Sequence, residues 1–373
     1  MGPTAQRVSI ALLLFTCLLA AGMAAAQAGG AVHTAALNRD PQVQDAYRRF
    51  YNLDYDGALK ILIRVLQQHP ADPLAVDYVL EVTVFEELYR LDLLDTTLYA
   101  HEGFLSGKHV VVENPAVKAK VDQLTSQAVN LADQRIKNNP RDVDAYYARG
   151  MAKSLKATYL GLVERSFVSG LHWALAARSD DEKALQLDPA YVDAEMVPAI
   201  HQFVVGTLPG PLKMMAGLFG VHGDKAKGLA LLRDCANRGV ITSVESRTTL
   251  MIFLRHEARY QEAIQVARSL ESQFAHDYLF ALEVANLQKD AGNGPAAVAE
   301  YRLVLDQAKK PGYYPNMHTE LAWFGLAETL RGQNDTSGAL QAFRQAESQP
   351  TTGPDLQRRA DEAIRQLQAQ GVK

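Results

Sequence analysis

Over residues 243–349 apolar and small side chains return in a pattern with a period of about 34 residues. The last copy is the clearest. Trp323, Leu326, Ala327 and Leu330 share one helix face, and Ala339, Phe343 and Ala346 share the face of a second helix. The small residue that opens this second helix recurs upstream as Ala297, Ala263 and Gly228. The longer step between Ala297 and Ala339 is accounted for by an insert at residues 309–316. A two-helix unit of this length cannot bury its apolar face alone, so the pattern predicts hairpins stacked into a solenoid.

The order Trp323, Leu326, Ala327 and Leu330, then Ala339 and Phe343, resembles the W-x2-L-G-x2-Y…A-x3-F order of the tetratricopeptide repeat (TPR) family. The resemblance implies an all-α, right-handed superhelical solenoid whose concave face holds another chain. A family marker carries the register towards the N-terminus, because a proline follows the small residue of each second helix and ends it. Ala58 with Pro70, Ala128 with Pro140 and Ala177 with Pro189 keep the same offset, and Ala128 rests on that spacing alone. Six to seven hairpins are expected between Val43 and Gln349. Residues 40–242 form divergent repeats and residues 243–349 a regular block. Residues 350–373 should supply a capping helix, with Leu356, Ala360, Ala363, Ile364 and Leu367 on one face.

The middle repeats are longer than the rest, and the extra material at residues 159–176 and 196–221 is rich in apolar residues and glycine. Pro198, Pro209, Gly210 and Pro211 break the second stretch, which argues against a continuous membrane span. The expectation is lengthened repeat helices. A loop touching lipid or lining an apolar pocket is the alternative, and it leaves peripheral membrane contact through residues 196–221 open. A second, shorter resemblance lies at residues 208–232, LPGPLKMMAGLFGVHGDKAKGLALL. This run is similar to one in eukaryotic TPR proteins of mitochondrial surfaces and lipid metabolism, and it implies shared architecture with no catalytic residue.

At the N-terminus Arg7, an apolar run over residues 10–21 and the small residues Ala24, Ala25 and Ala26 read as a signal peptide over residues 1–28. An uncleaved anchor is one alternative, and a lipoprotein signal at Cys17 another. Residues 29–39 read as a disordered tether. The expected location is therefore periplasmic or secreted. Cleavage would leave Cys235 as the one cysteine, read as a small buried hydrophobe on a second helix.

Composition narrows the partner. With 38 Lys plus Arg against 42 Asp plus Glu and no basic block, nucleic acid is not expected. Catalytic and cofactor signatures fail one by one, so no enzyme activity, cofactor or metal is expected. Residues 217–225 carry three glycines and a lysine, but neither the G-x4-G-K-[ST] nor the G-x-G-x2-G spacing is met. Asp224 reads instead as a helix N-cap. No histidine pair has H-E-x-x-H spacing, and no serine stands in G-x-S-x-G. Asp180, Asp181 and Glu182 read as a solvated helix start.

The TPR resemblance places positions 2, 5, 9 and 12 of each first helix on the concave face. Here these are Glu245, Thr248, Ile252 and Arg255; Leu279, Leu282, Asn286 and Lys289; and Leu321, Phe324, Glu328 and Arg331. Arg255, Leu282, Asn286, Lys289, Phe324, Glu328 and Arg331 are the candidate peptide-groove residues, with the three cations forming a ladder that suits a somewhat acidic peptide. The carboxylate-clamp pattern departs at Leu282, which stands where the clamp has lysine. The expected function is a noncatalytic scaffold of the cell envelope for a protein or peptide. The alternative is a carrier whose apolar central inserts enclose a lipid or small molecule.

Overall fold

The computed structural model describes residues 31–97, 112–208, 210, 213–214, 217, 222–314 and 317–372. The 1–28 segment lies outside them, as does most of the run at 209–221 that carries the second resemblance. Among the described residues there are 15 α-helices and no strand. They pair as α1 (Pro41–Phe50) with α2 (Tyr55–Gln68), α3 (Pro73–Arg90) with α4 (Pro115–Asn138), and α5 (Val143–Leu162) with α6 (Phe167–Leu187). Then follow α7 (Met196–Thr207) with α8 (Lys225–Arg238), α9 (Ser243–His256) with α10 (Tyr260–Gln273), α11 (Tyr278–Asp290) with α12 (Gly294–Ala308), and α13 (Thr319–Gly332) with α14 (Thr336–Glu347). The amphipathic α15 (Pro354–Ala369) packs on α14 and buries Ala360, Ala363, Ile364 and Leu367, closing the last hairpin.

The small-residue markers explain the pairing. Ala58, Ala128, Ala177, Gly228, Ala263, Ala297 and Ala339 fall one on each second helix, and all are buried. At these points the two helices of a hairpin approach too closely for a larger side chain. Gly228 is the extreme case, because a Cβ there would stand 2.6 Å from Phe203 N and 2.8 Å from Ala199 O of α7. Gly223, just before α8, serves the same approach. A Cβ on Gly223 would meet Gly206 N at 2.6 Å, and Asp224 caps α8 by accepting the Lys227 N–H at 3.0 Å.

The turns repeat as well. The first helix of a hairpin ends with a left-handed residue at Leu53, Asp92, Arg165, Ala258, Gly292 and Asn334. Behind five of them an N–H reaches the carbonyl five residues back, as in Asp54 to Arg49, Leu93 to Leu88, Arg259 to Leu254, Asn293 to Gln288 and Asp335 to Leu330, at 2.8–3.0 Å. These bonds satisfy carbonyls that the ending helix leaves free and set the angle at which the chain turns back.

Two expectations are corrected. The 31–39 stretch, expected as part of a disordered tether, is docked: Thr34 and Asn38 are buried and hydrogen-bond Asp193, which also accepts from the backbone N–H of Val240, Ile241 and Thr242. Asp180 and Asp181 are not at a helix start but within α6, and both are buried. Arg149 and Lys153 of α5 pair with Asp180, whereas burial pushes the Asp181 carboxyl well above its ordinary range. Cys235 is buried, its Sγ 3.0 Å from Thr242 Oγ1, and burial raises the thiol to about 12. Oxidation chemistry at this thiol is thereby suppressed.

The core is a chain of linked clusters rather than one centre, as stacked hairpins require. The links are not all between neighbours. Leu53 and Tyr89 of the first two hairpins pack on the C-terminal cluster, and Tyr51 packs against Phe274 with ring centroids 5.2 Å apart. Side chains of the α1–α2 turn and of α3 thus reach across to α9–α13, and the concave face is roofed by the chain itself.

Candidate ligand-binding site

The roofing leaves a cavity of about 330 Å³. Its floor is the concave face of α9 and α11, contributed by Glu245, Thr248, Ile252, Leu279, Leu282 and Asn286. These occupy positions 2, 5 and 9 of their repeats. The roof is Phe50, Tyr51 and Leu53 from the α1–α2 turn, Phe85 and Leu88 from α3, and Leu93, Leu94 and Thr96 from the segment after it. From the first enlarged segment only Leu162 and its neighbour Thr158 reach the wall, so the pocket does not lie in the central inserts.

Four carboxyls stand in this wall, Asp95, Glu245, Asp277 and Glu283. Tyr51 Oη donates to Glu245, and burial pushes that carboxyl up to about 7. Asp277 caps α11 through the Leu279 N–H at 2.8 Å, and its burial outweighs the backbone hydrogen bonds to raise it to about 8. Burial raises Glu283 too, against the opposing pull of Arg255. Near neutral pH Asp277 is mostly protonated and Glu245 partly so, which lowers the negative charge of the wall and lets these two groups donate hydrogen bonds.

The seven groove residues separate into three groups. Leu282 and Asn286 are buried and line the cavity, and Asn286 Oδ1 accepts from Tyr301 Oη at 2.6 Å. Arg255 does not stand as a free cation: it is 5% exposed, bonded to Glu283 and Thr96 at 3.1 Å each, with Nε 2.6 Å from Asp290. It ties the segment after α3 to the C-terminal block. Phe324 is buried under the Arg359 guanidinium, 4.5 Å from its ring centre, away from the cavity. Glu328 and Arg331 pair with each other at 2.9 Å, half-exposed, while Lys289 has no ion-pair partner among the described residues. The three cations therefore share no common field, since one is neutralised inside the protein.

Sequence reasoning did not reach the roof. Tyr51 lies 194 residues from Glu245 and Thr96 lies 187 from Glu283, separations at which no periodicity speaks. The one local hint was the density of aromatic and leucine residues at 50–55 and 85–94.

Hairpins with small-residue seams, left-handed turns and a capping helix define a TPR-type solenoid. Solved structures similar to the chain are TPR proteins. One is a thermophilic TPR protein of Thermus thermophilus, 16% identical, covering 66% of this chain and 96% of that one with a TM-score of 0.35. A tetratricopeptide repeat protein from Parabacteroides merdae is 16% identical over 88% and 97% at 0.28, and yeast Tom70 is 11% identical over 88% of each chain at 0.26. No protein-family model matches the chain, and no curated protein matches it in sequence.

Proposed function

We propose that the chain is a noncatalytic binding scaffold of an exported compartment that takes an apolar segment of a protein partner into the roofed cavity. The observation that carries this reading is the cavity itself. It is a concave, largely apolar space in the size range of ligand sites, with a few convergent polar groups. Arg255 is neutralised internally and the residues lining the cavity include four carboxyls and no cation, so an acidic peptide is a poor match. An apolar segment carrying a hydrogen-bonding group fits better. The export half of the reading rests on the pattern around Arg7 and residues 10–26.

A lipid-contacting or carrier role is the second reading, favoured by a concentration of exposed apolar side chains. Among the described residues Phe167, Val168, Leu171 and Leu175 of α6, with Val204 and Met214, account for six of the nine large hydrophobic side chains that are exposed. No helix among the described residues is long and apolar enough to cross a membrane, so contact of this kind would be peripheral.

The test is Thr248→Trp, which fills the cavity from its floor. Full-length protein and variant are titrated with short apolar peptides and, separately, with a lipid-tail analogue. Peptide binding lost in the variant at unchanged melting temperature supports the scaffold. Loss of lipid binding alone supports the carrier. Equal binding in both proteins places the site elsewhere.

A further inference from the structure

The turn after α3 and the start of α13 bring Asp92 together with His318, 226 residues on, and its near neighbour Glu320. Asp92 is the left-handed residue of its turn, φ +57°. His318 is the N-cap residue of α13 and its Nδ1 contacts Asp92 Oδ1. Glu320 lies in the first turn of α13, fully buried. The ligand-competent atoms of the three all lie within 4.8 Å of one another.

Two details distinguish this cluster from an ordinary ion pair. One Glu320 oxygen accepts from Thr351 Oγ1 at 2.7 Å, which fixes the carboxylate, while Oε1 is buried with no hydrogen-bond partner. A carboxylate oxygen in that state is costly unless a cation or donor meets it. The His318 ring is held in turn by Tyr89, with centroids 4.8 Å apart and planes 36° apart. Ordered ligands backed by neighbours are what a metal site needs.

We propose that Asp92, His318 and Glu320 bind a divalent cation of the zinc class, forming a clasp between the second hairpin and the C-terminal block. One imidazole nitrogen and two carboxylate oxygens suit borderline cations bound by nitrogen and oxygen, with a water completing four-coordination. Two positive charges would balance the two carboxylates and meet the Glu320 oxygen that the protein leaves without a partner. The role is structural. An ion binding only when both halves are in contact stabilises the roofed state over any opened one.

The experiment uses the full chain, stripped with a chelator and titrated with Zn²⁺ by calorimetry. Co²⁺ serves as a spectroscopic stand-in, and melting is followed in parallel. The expected result is one ion per chain, a rise in melting temperature on addition of zinc, and Co²⁺ visible bands of a low-coordinate site. Asp92→Asn and Glu320→Gln keep side-chain shape and should each weaken binding at least about tenfold and abolish the thermal shift. His318→Ala should do the same. If it fails to fold, the two amide variants still decide the matter. No saturable binding, or binding and thermal shift unchanged in Asp92→Asn, would overturn the clasp and leave a hydrogen-bonded triad or a surface histidine as the explanation.

Discussion

The two halves of the molecule use the same joint and differ in what surrounds it. In the C-terminal block, α9–α14 run 12–15 residues and each small marker sits in the first turn of its second helix. In the N-terminal half α3–α6 run 18–24 residues, and Ala128 and Ala177 stand several turns into their helices. The extra length is added before the seam, and the seam is kept. A repeat is therefore specified by its closest approach and its turn, while helix length is free to vary and to build a second wall. Here the longer half supplies that wall, with the α1–α2 turn and the end of α3 covering the groove of the shorter half.

The comparison breaks first if the seams are not equivalent. Ala177→Arg and Ala339→Arg each force a long cation between two helices with no space to receive it, and each should cost more than about 4 kcal/mol. Thermal or denaturant unfolding of the two variants would show this. A tolerated Ala177→Arg would mean that the enlarged half is held together differently.

Next in size is the contact between the halves. Arg255→Ala leaves Glu283 and Asp290 without their partner and should cost about 3–5 kcal/mol. Lys289→Ala and Arg331→Ala, at the same repeat position but half-exposed, should stay within about 0.5 kcal/mol. Equal effects for all three would argue that Arg255 faces solvent and the groove is open.

The smallest effect sharpens the picture of the wall. Asp277 holds its proton in the folded chain up to about pH 8, whereas an unfolded chain loses it near pH 4. The folded state therefore binds more protons across that window, and stability falls as pH rises through it, at up to about 1.4 kcal/mol per pH unit for this group. Asp277→Asn keeps the cap and should flatten the decline in melting temperature between pH 5 and pH 8. Asp77, Glu81 and Asp181, also raised by burial, keep part of the slope in the variant. An unaltered slope would mean that Asp277 is ionised and solvated.

Much of the architecture was legible in the sequence because it is local. Ala339 with Phe343 and Ala346 sits in one helix, and Ala58 with Pro70 spans one helix and its end. The docking of residues 31–39 was not legible, because Thr34 and Asn38 are held by Asp193 more than 150 residues away and their own sequence is weakly patterned. Asp180 and Asp181 misled for a related reason: adjacent acids read as solvated until the partners Arg149 and Lys153 on the neighbouring helix are known. For the site, repeat register located the floor at Leu282 and Asn286. It said nothing of Tyr51, Leu93 or Thr96, since a repeat pattern reports contacts between neighbours and the roof is a contact between ends.

The central claim, that the first hairpin covers the groove, is tested most directly by trapping it. The His276 N–H donates to Asn52 Oδ1 at 3.2 Å, with His276 exposed and Asn52 half-buried beside it. Asn52→Cys and His276→Cys, introduced together with Cys17→Ser, leave Cys235 buried and inert. Mild oxidation of the monomer should give one intramolecular disulfide joining these two positions, detected by mass spectrometry of the linked peptides. Two thiols that remain freely alkylated under the same conditions would show the first hairpin standing away from the C-terminal block and would contradict the account.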